Sequence, residues 1–560
     1  MKKTSPPNGV EISPWLEAAA LTLLISSYCW IQIRGLLVPG VYGDEAQDGV
    51  LAQQIIHAGF HHMGEWPLSN GGYHGALQAY LLAPFFLLIK EPLLALRIGE
   101  LALSLIVIAT AYLCAKRFFN SLAAVFTLVF LLSNPAFIFK SRMNTDPAGI
   151  MAAFYLGALI CLLSWHRSGK SSRLFAAAFL AGAGFCLRLW FYWFYCGLIL
   201  AALIFRDEAA HALGPRSASK IGGTALFFAL GLSLYIMKEV RGEGTELFGC
   251  VLAHLHYGVR GADNFMILKN LGMRFGQLIT ELRGRILDSF PECYSNCGAS
   301  LNLSPYAEMF CGALLALSFF CLIALGRGAY RRKGLFFVTL LFGMFLPSIF
   351  TLSDLVPEHL FILFPIPQII MGAAAYLLFE HVLKTGRFWK AAALGLVLYA
   401  LAPPFYAWEF SQMSGFVQRT GGTWFYSDAN VGMVHWLKER GYFAPKNCDQ
   451  RLDDPVRLLS NERIVPISCG QASYGTPDHA AAEAFLSQCV GGENVYLFLS
   501  PDLEHPSHST LPYFSALLAG TGEKFALRKV FYDKNGGPAY GVYSLVPDLS
   551  AGRSRRRGPG

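Results

Sequence analysis

Charge is what this sequence has least of. Only 15% of its 560 residues are charged, where a soluble globular chain carries about 25%. Polar linkers are absent before about residue 410, although a soluble chain of this length needs them between roughly three or four domains. There is no internal repeat, no phosphate-binding loop, no nucleophile motif and no His-Cys pattern with zinc spacing. Paired interrupted helices in matching halves, expected of an inverted-repeat transporter, are also missing. These absences exclude soluble multidomain, fibrous, disordered and nucleic-acid-binding classes. The net charge of +8 adds little, because Arg553, Arg555, Arg556 and Arg557 lie in a Gly/Pro/Ser tail, 549–560, that reads as disordered.

Apolar residues are abundant: 54% of the chain, with a mean hydropathy of +0.42. They fall in runs of roughly 17–22 residues, the length a helix needs to cross a bilayer. Eleven spans are predicted, near 15–34, 93–115, 121–139, 147–165, 174–188, 190–205, 221–237, 308–325, 334–350, 360–380 and 391–408. The run 76–89 is too short and reads as a helix at the membrane interface. Lys2 and Lys3 precede the first span and no small-x-small site follows it, so it reads as an uncleaved anchor.

Basic residues set the orientation. Lys116 and Arg117; Arg167, Lys170 and Arg173; Arg206, Arg216 and Lys220; Arg327 and Arg331 to Lys333; and Lys384, Arg387 and Lys390 fall in alternate connections, on the side of Lys2 and Lys3. That side is expected to be cytoplasmic, in a bacterial inner membrane. Two loops, about 35–75 and 238–307, and everything after 410 are then outside, in the periplasm. The expected organisation is a membrane domain 1–410 and a small α/β domain 411–548. In the latter, Val431 to Arg440 has helical spacing, Asn494 to Leu499 reads as a buried strand, and Asn535-Gly536 joins two further strands as a hairpin. Its expected role is structural or acceptor-presenting. Cysteines on the outer face can pair. Cys293 and Cys297 are close enough in a turn-rich stretch to form a disulfide, whereas Cys448, Cys469 and Cys489 leave one odd.

Carboxylates at a membrane edge are costly and so point to function. The first span leads into Asp44, Glu45 and Asp48; the turn between the third and fourth holds Asp146, in Arg142-Met143-Asn144-Thr145-Asp146-Pro147. Both groups belong to the outer surface. The competing reading of Asp44 and of Asp146 is helix capping. Arg188 interrupts an aromatic run, Leu189 to Tyr195. An Arg at that depth meets either an anion or, by snorkelling, the interface. Sugar stacking on the run competes with a lipid or core role.

In order, the chain carries Asp44-Glu45 with the helix Ala46 to Gly59, then Tyr73-His74-Gly75-Ala76-Leu77-Gln78-Ala79-Tyr80, Ala95-Leu96-Arg97, Asn134-Pro135, Arg142 to Asp146, and Pro357-Glu358-His359-Leu360 to Phe364-Pro365. This series resembles the GT-C glycosyltransferases, the polytopic enzymes related to protein O-mannosyltransferases and bacterial lipid A aminoarabinose transferases. It departs in Gly75, where the family often has Pro, and in His359, where it often has Arg. The resemblance implies an α-helical polytopic GT-C fold that takes a sugar from a polyprenyl-phosphate donor to an acceptor hydroxyl on a lipid, glycan or protein. Such a reaction needs a base for the acceptor proton and positive charge for the leaving phosphate. Asp44 is the expected base and Glu45 its support. Asp146 is expected to bind acceptor, or a divalent metal together with Asp44; metal use stays open. His74, Arg142, Arg188, Lys238 (or Arg241) and His359 are the substrate-binding candidates. A polymerase or ligase of lipid-linked glycan, and a secondary transporter, are the alternatives.

Overall fold

The computed structural model describes residues 12–70, 75–143, 148–206, 217–242, 266–284, 306–350, 357–384, 389–422, 426–449, 452–469, 485–490, 494–499, 510–519 and 521–548. His74, Asp146, Cys293 and Cys297 lie outside these residues.

Each predicted span is helical, but not each is a straight crossing. Seven helices are long and apolar enough: α1 (Pro14–Arg34), α4 (Pro92–Phe118), α7 (Ala148–Ser168), α13 (Ala307–Ala324), α14 (Gly328–Phe345, continued by a 3-10 turn to Phe350), α15 (Ile366–Leu383) and α16 (Trp389–Thr420). Two bent pairs bring the number to nine. The first is α5 (Ser121–Ser133) with α6 (Pro135–Met143), bent by 67°. Its cause is local: Pro135 lacks an N–H, and the Asn134 side chain accepts hydrogen bonds from the N–H groups of Ala136 and Phe137, restarting the helix in a new direction. The second is α10 (Ser217–Gly231) with α11 (Ser233–Val240), bent by 68°. The remaining two predicted spans are short apolar helices, α8 (Ser171–Phe185) and α9 (Tyr192–Ala202, preceded by a 3-10 turn), and α3 (Leu77–Leu88) is the short helix expected near 76–89. The described chain thus holds seven to nine candidate crossings rather than eleven.

Two boundaries also shift. The last long helix runs to Thr420, ten residues past the expected domain edge. Lys238 sits inside α11 and is buried, rather than opening a loop.

Two helices of the segments 35–75 and 238–307 dock on this bundle. Helix α2 (Gly43–Ala58) packs against α3, and α12 (Ile267–Arg283) packs against the 3-10 turn Pro357–Leu363. The C-terminal part contains α17 (Ala429–Glu439) and a five-stranded sheet. Its strands are β1 (Lys446–Asn447), β2 (Ile467–Ser468), β3 (Val495–Leu499), β4 (Glu523–Tyr532) and β5 (Pro538–Pro547), in the order β2-β1-β3-β5-β4. The first three are parallel and the last two form the expected hairpin, with Gly536 at φ 82° in its turn. Helix α18 (Asp453–Leu459) connects β1 to β2 and lies on α2. A disulfide joins Cys469 to Cys489, leaving Cys448 as the buried thiol beside them.

Candidate functional site

Helix α2 begins at Gly43, with Tyr42 in the N-cap position. Asp44 is therefore a first-turn residue and not the cap. The Tyr42 N–H instead donates to the Glu45 carboxylate at 3.4 Å. Asp44 keeps partial solvent access, whereas Glu45 is 1% exposed and Asp48 is 4% exposed. Of the three carboxylates, Asp44 is the most exposed.

Glu45 lies 3.0 Å from Nε of Arg97, which is fully buried in α4. Burial pushes the Glu45 carboxyl up to about 8; Arg97 opposes the rise and Asp48 adds to it. Arg97 donates to the carbonyl of Arg142 at 2.7 Å and to that of Pro39 at 3.2 Å. It thereby fixes the approach to α2 and the outer end of α6 at once. Asp48 accepts from the Asn70 side chain at 2.6 Å, and Glu100, one turn beyond Arg97 on α4, accepts from Gln78 at 2.9 Å.

Arg142 is brought to the same place, but its guanidinium is engaged with α1. It donates to the Gln32 side chain at 3.0 Å and to the carbonyls of Ile31 at 3.2 Å and Val38 at 3.3 Å. It satisfies carbonyls that the end of α1 leaves unpaired. Gly35 leaves room for it, since a Cβ there would sit 2.2 Å from Nη1 of Arg142 and the guanidinium would have to move. Asp146 follows three residues after Met143, the last described residue of α6.

A second group forms around Trp190. Arg188 lies over its ring at 4.1 Å, and the imidazole of His359 meets it edge-on at 4.1 Å. Arg188 and Trp190 are buried and His359 is half-buried. These two predicted cations, 171 positions apart in sequence, thus share one aromatic platform. Trp190, Phe191, Trp193 and Phe194 of the aromatic run belong to the core. Lys238 approaches the Tyr235 ring at 5.4 Å, and Tyr235 packs on Phe185, at the end of α8 just before Arg188. The N–H groups of Gly75 and Leu77 donate to the carbonyls of Leu187 and Cys186 at 3.1 and 3.4 Å. A Cβ at Gly75 would lie 1.8 Å from the Cys186 oxygen, so glycine permits this contact. The residue after His74 is thereby pinned beside Arg188.

Sequence reasoning gave Arg97 only as the opening of a span. Its signal, with Glu100, was a pair of charges inside an apolar helix. Nothing local announced the contacts from the far end of the chain. The Tyr426 ring stacks on Tyr42 at 4.6 Å, the Asn430 side chain donates to the Val41 carbonyl at 3.0 Å, and Gln53 donates to the Leu458 carbonyl and to Asn461 at 3.3 and 3.0 Å. Among the described residues, no group of three or more His, Cys, Asp or Glu is arranged to hold a metal ion.

This architecture, with helices carrying polar groups to one end of the bundle under a C-terminal α/β unit, is similar in fold to solved membrane transferases. A family model described as dolichyl-phosphate-mannose-protein mannosyltransferase matches residues 73–233. ArnT from Cupriavidus metallidurans, in a crystal structure bound to undecaprenyl phosphate, is 12% identical with a TM-score of 0.59, over 94% of this chain and 98% of that one. Its apo structure is 15% identical, with the same TM-score and coverage. The oligosaccharyltransferase of Archaeoglobus fulgidus, in an apo crystal structure, is 11% identical with a TM-score of 0.52, over 92% of this chain and 73% of that one. No curated protein matches the sequence.

Proposed function

We propose that this chain is a membrane glycosyltransferase that moves a single sugar from a polyprenyl-phosphate donor to an acceptor hydroxyl. The reaction is placed on the periplasmic face of a bacterial inner membrane, with Asp44 as general base. The observation that carries the reading is the difference in access among the three carboxylates at the start of α2: Glu45 and Asp48 are buried, and Asp44 is not. The fold shared with a protein crystallised with undecaprenyl phosphate supports a lipid-phosphate donor.

In this reaction the acceptor O–H gives its proton to the Asp44 carboxylate as its oxygen bonds to the anomeric carbon. The bond from that carbon to the phosphate oxygen breaks, and polyprenyl phosphate leaves with the electron pair. Arg188 and His359 on the Trp190 platform, together with Lys238 and, from the sequence, His74, are assigned to the leaving phosphate. Glu45, lifted to about 8 by burial, carries less negative charge beside Asp44 and holds the helix through Arg97. Arg142 is assigned to positioning. Asp146 is assigned to the acceptor, or to a divalent ion shared with Asp44.

Asp44→Asn tests the assignment. The change removes a first-turn charge worth about 0.3–1 kcal/mol to the helix, so folding is retained. A positioned base contributes about 10²–10⁴-fold in rate. With purified protein and saturating donor, a folded variant that keeps more than about a tenth of the wild-type rate rules out this role. The likeness to an oligosaccharyltransferase favours a second reading, transfer of a lipid-linked glycan. A panel of labelled polyprenyl-phosphate sugars and polyprenyl-pyrophosphate glycans separates the two by which donor is consumed.

A further inference from the structure

A cavity of about 390 Å³ lies between the ends of α4 and α7 and the start of α8, lined by Arg117, Cys161, Ser164, Arg167 and Arg173. Arg97 and Arg117 are twenty residues apart on α4, which at 1.5 Å per residue is about 30 Å. That is about the thickness of the hydrocarbon core. The cavity therefore belongs to the opposite membrane face from Asp44 and is no part of the site described above.

Three arginines meet there, two of them on one serine. Arg117 donates to the Ser164 hydroxyl at 2.9 Å, Arg173 donates to the Ser164 carbonyl at 2.9 Å, and Arg167 donates to the Arg117 carbonyl at 2.8 Å. No carboxylate lines the cavity, and none of the three arginines is ion-paired among the described residues. Each guanidinium is permanently charged and has five N–H donors, and these bonds leave most of them available. Three cations around one cavity repel one another unless an anion enters. An inward-facing bias of basic residues accounts for arginines in loops on this face, but it does not require them to meet around a cavity.

We propose that this cavity binds the phosphate of an anionic phospholipid from the leaflet on that face. Guanidinium groups match phosphate oxygens bidentately. The lipid source follows from the apolar surface next to the cavity: Leu113, one turn before Arg117 on the same face of α4, is 40% exposed. Acyl chains lie along this face while the headgroup phosphate sits among the arginines. A free phosphate has no use for that surface.

The test is native mass spectrometry of the full-length protein released from phosphatidylcholine vesicles containing phosphatidylglycerol. The wild type is expected to retain phosphatidylglycerol preferentially. Arg117→Gln/Arg173→Gln is expected to reduce that preference roughly tenfold, the scale of losing a charge-assisted hydrogen bond. Lys170→Gln, in the same connection but outside the cavity lining, is expected to leave it unchanged. Should the double variant not fold, Arg173→Gln alone is read, because its guanidinium bonds only to the Ser164 carbonyl. Equal retention in wild type and cavity variants overturns the proposal. So does an equal loss in Lys170→Gln, which makes the effect one of general surface charge. Abolition of the preference by excess inorganic phosphate also overturns it, in favour of a free-phosphate site.

Discussion

Among single residues, Arg97 decides most. It is fully buried, and it holds Glu45, the Pro39 carbonyl and the Arg142 carbonyl together. Breaking a buried pair by removing one partner costs about 3–5 kcal/mol, because a charge is left uncompensated. Above about pH 8, where Glu45 is ionised in the folded protein, Arg97→Met is expected to lose that much stability, read as a lower thermal midpoint in detergent. The loss has a pH dependence of definite sign. The folded-state value of Glu45, about 8, lies above its ordinary 4.5, so the folded state favours the protonated form. That contribution is complete below pH 4.5 and is lost as pH rises through about 8. The Arg97→Met deficit should therefore stay level from acid pH to about 8, where Glu45 is protonated in both proteins, and grow as pH rises above that, and Glu45→Gln in the same chain should flatten it. A deficit independent of pH would show that Glu45 is not the group left unpaired.

For the helices and strands, run length and turn chemistry were sufficient to read most of the architecture. The long apolar stretches became helices, and Asn535-Gly536 became a hairpin turn. Apolarity does not reveal where a helix breaks; the turn at Asn134-Pro135 depends on a side-chain cap and a missing N–H. It also gave no sign of α12, whose ends of contact are charged. Lys140 on α6 meets both carboxylate oxygens of Glu281 at 2.9 Å, and Arg283 meets Glu409 on α16 at 3.3 Å, with all four side chains buried. Meanwhile Leu268 and Phe275 on α12 are 83% and 52% exposed. The C-terminal half of the helix is thus fastened by ion pairs together with buried Leu278, Ile279 and Leu282, while other apolar residues turn outward. Lys140→Met or Glu281→Gln alone should release it, at about 3–5 kcal/mol, whereas the double change to Met and Leu should recover much of the loss. Hydrogen exchange over 267–283 and a double-mutant thermal cycle read this out; additive losses would mean the two residues do not act as a pair.

At the scale of the whole molecule, the C-terminal unit is fastened to the stretch that presents Asp44. Gly40 donates its N–H to the Tyr426 carbonyl at 2.7 Å, and a Cβ at Gly40 would lie 2.4 Å from the Ser427 oxygen. Asn430→Ala removes the bond to Val41, worth about 0.5–1.5 kcal/mol. It is expected to lower kcat several-fold at unchanged KM and a nearly unchanged thermal midpoint, as befits a positioning residue; an equal fall in stability and rate would make the contact merely structural. The orientation itself is checked by reporter fusions. Those after residues 120 and 170 should report the cytoplasm and those after 355 and 420 the outside; a cytoplasmic signal at 420 contradicts the shared outer face. The Asp44 group was legible as residue types, because acids beside a membrane are rare, but its supports were not, since Val41 and Asn430 are 389 positions apart and Gln53 and Asn461 are 408 apart. That separation has a consequence for biosynthesis. On the proposed topology, α1 to α4 are already in the membrane and Asp44 is already outside while the ribosome is still making the C-terminal third, yet the partners of Val41 and Gln53 do not exist. The earliest part of the chain to insert is the last to be completed, so a chain that stalls or is cleaved before Tyr426 leaves a full set of transmembrane helices with an unbraced reaction centre.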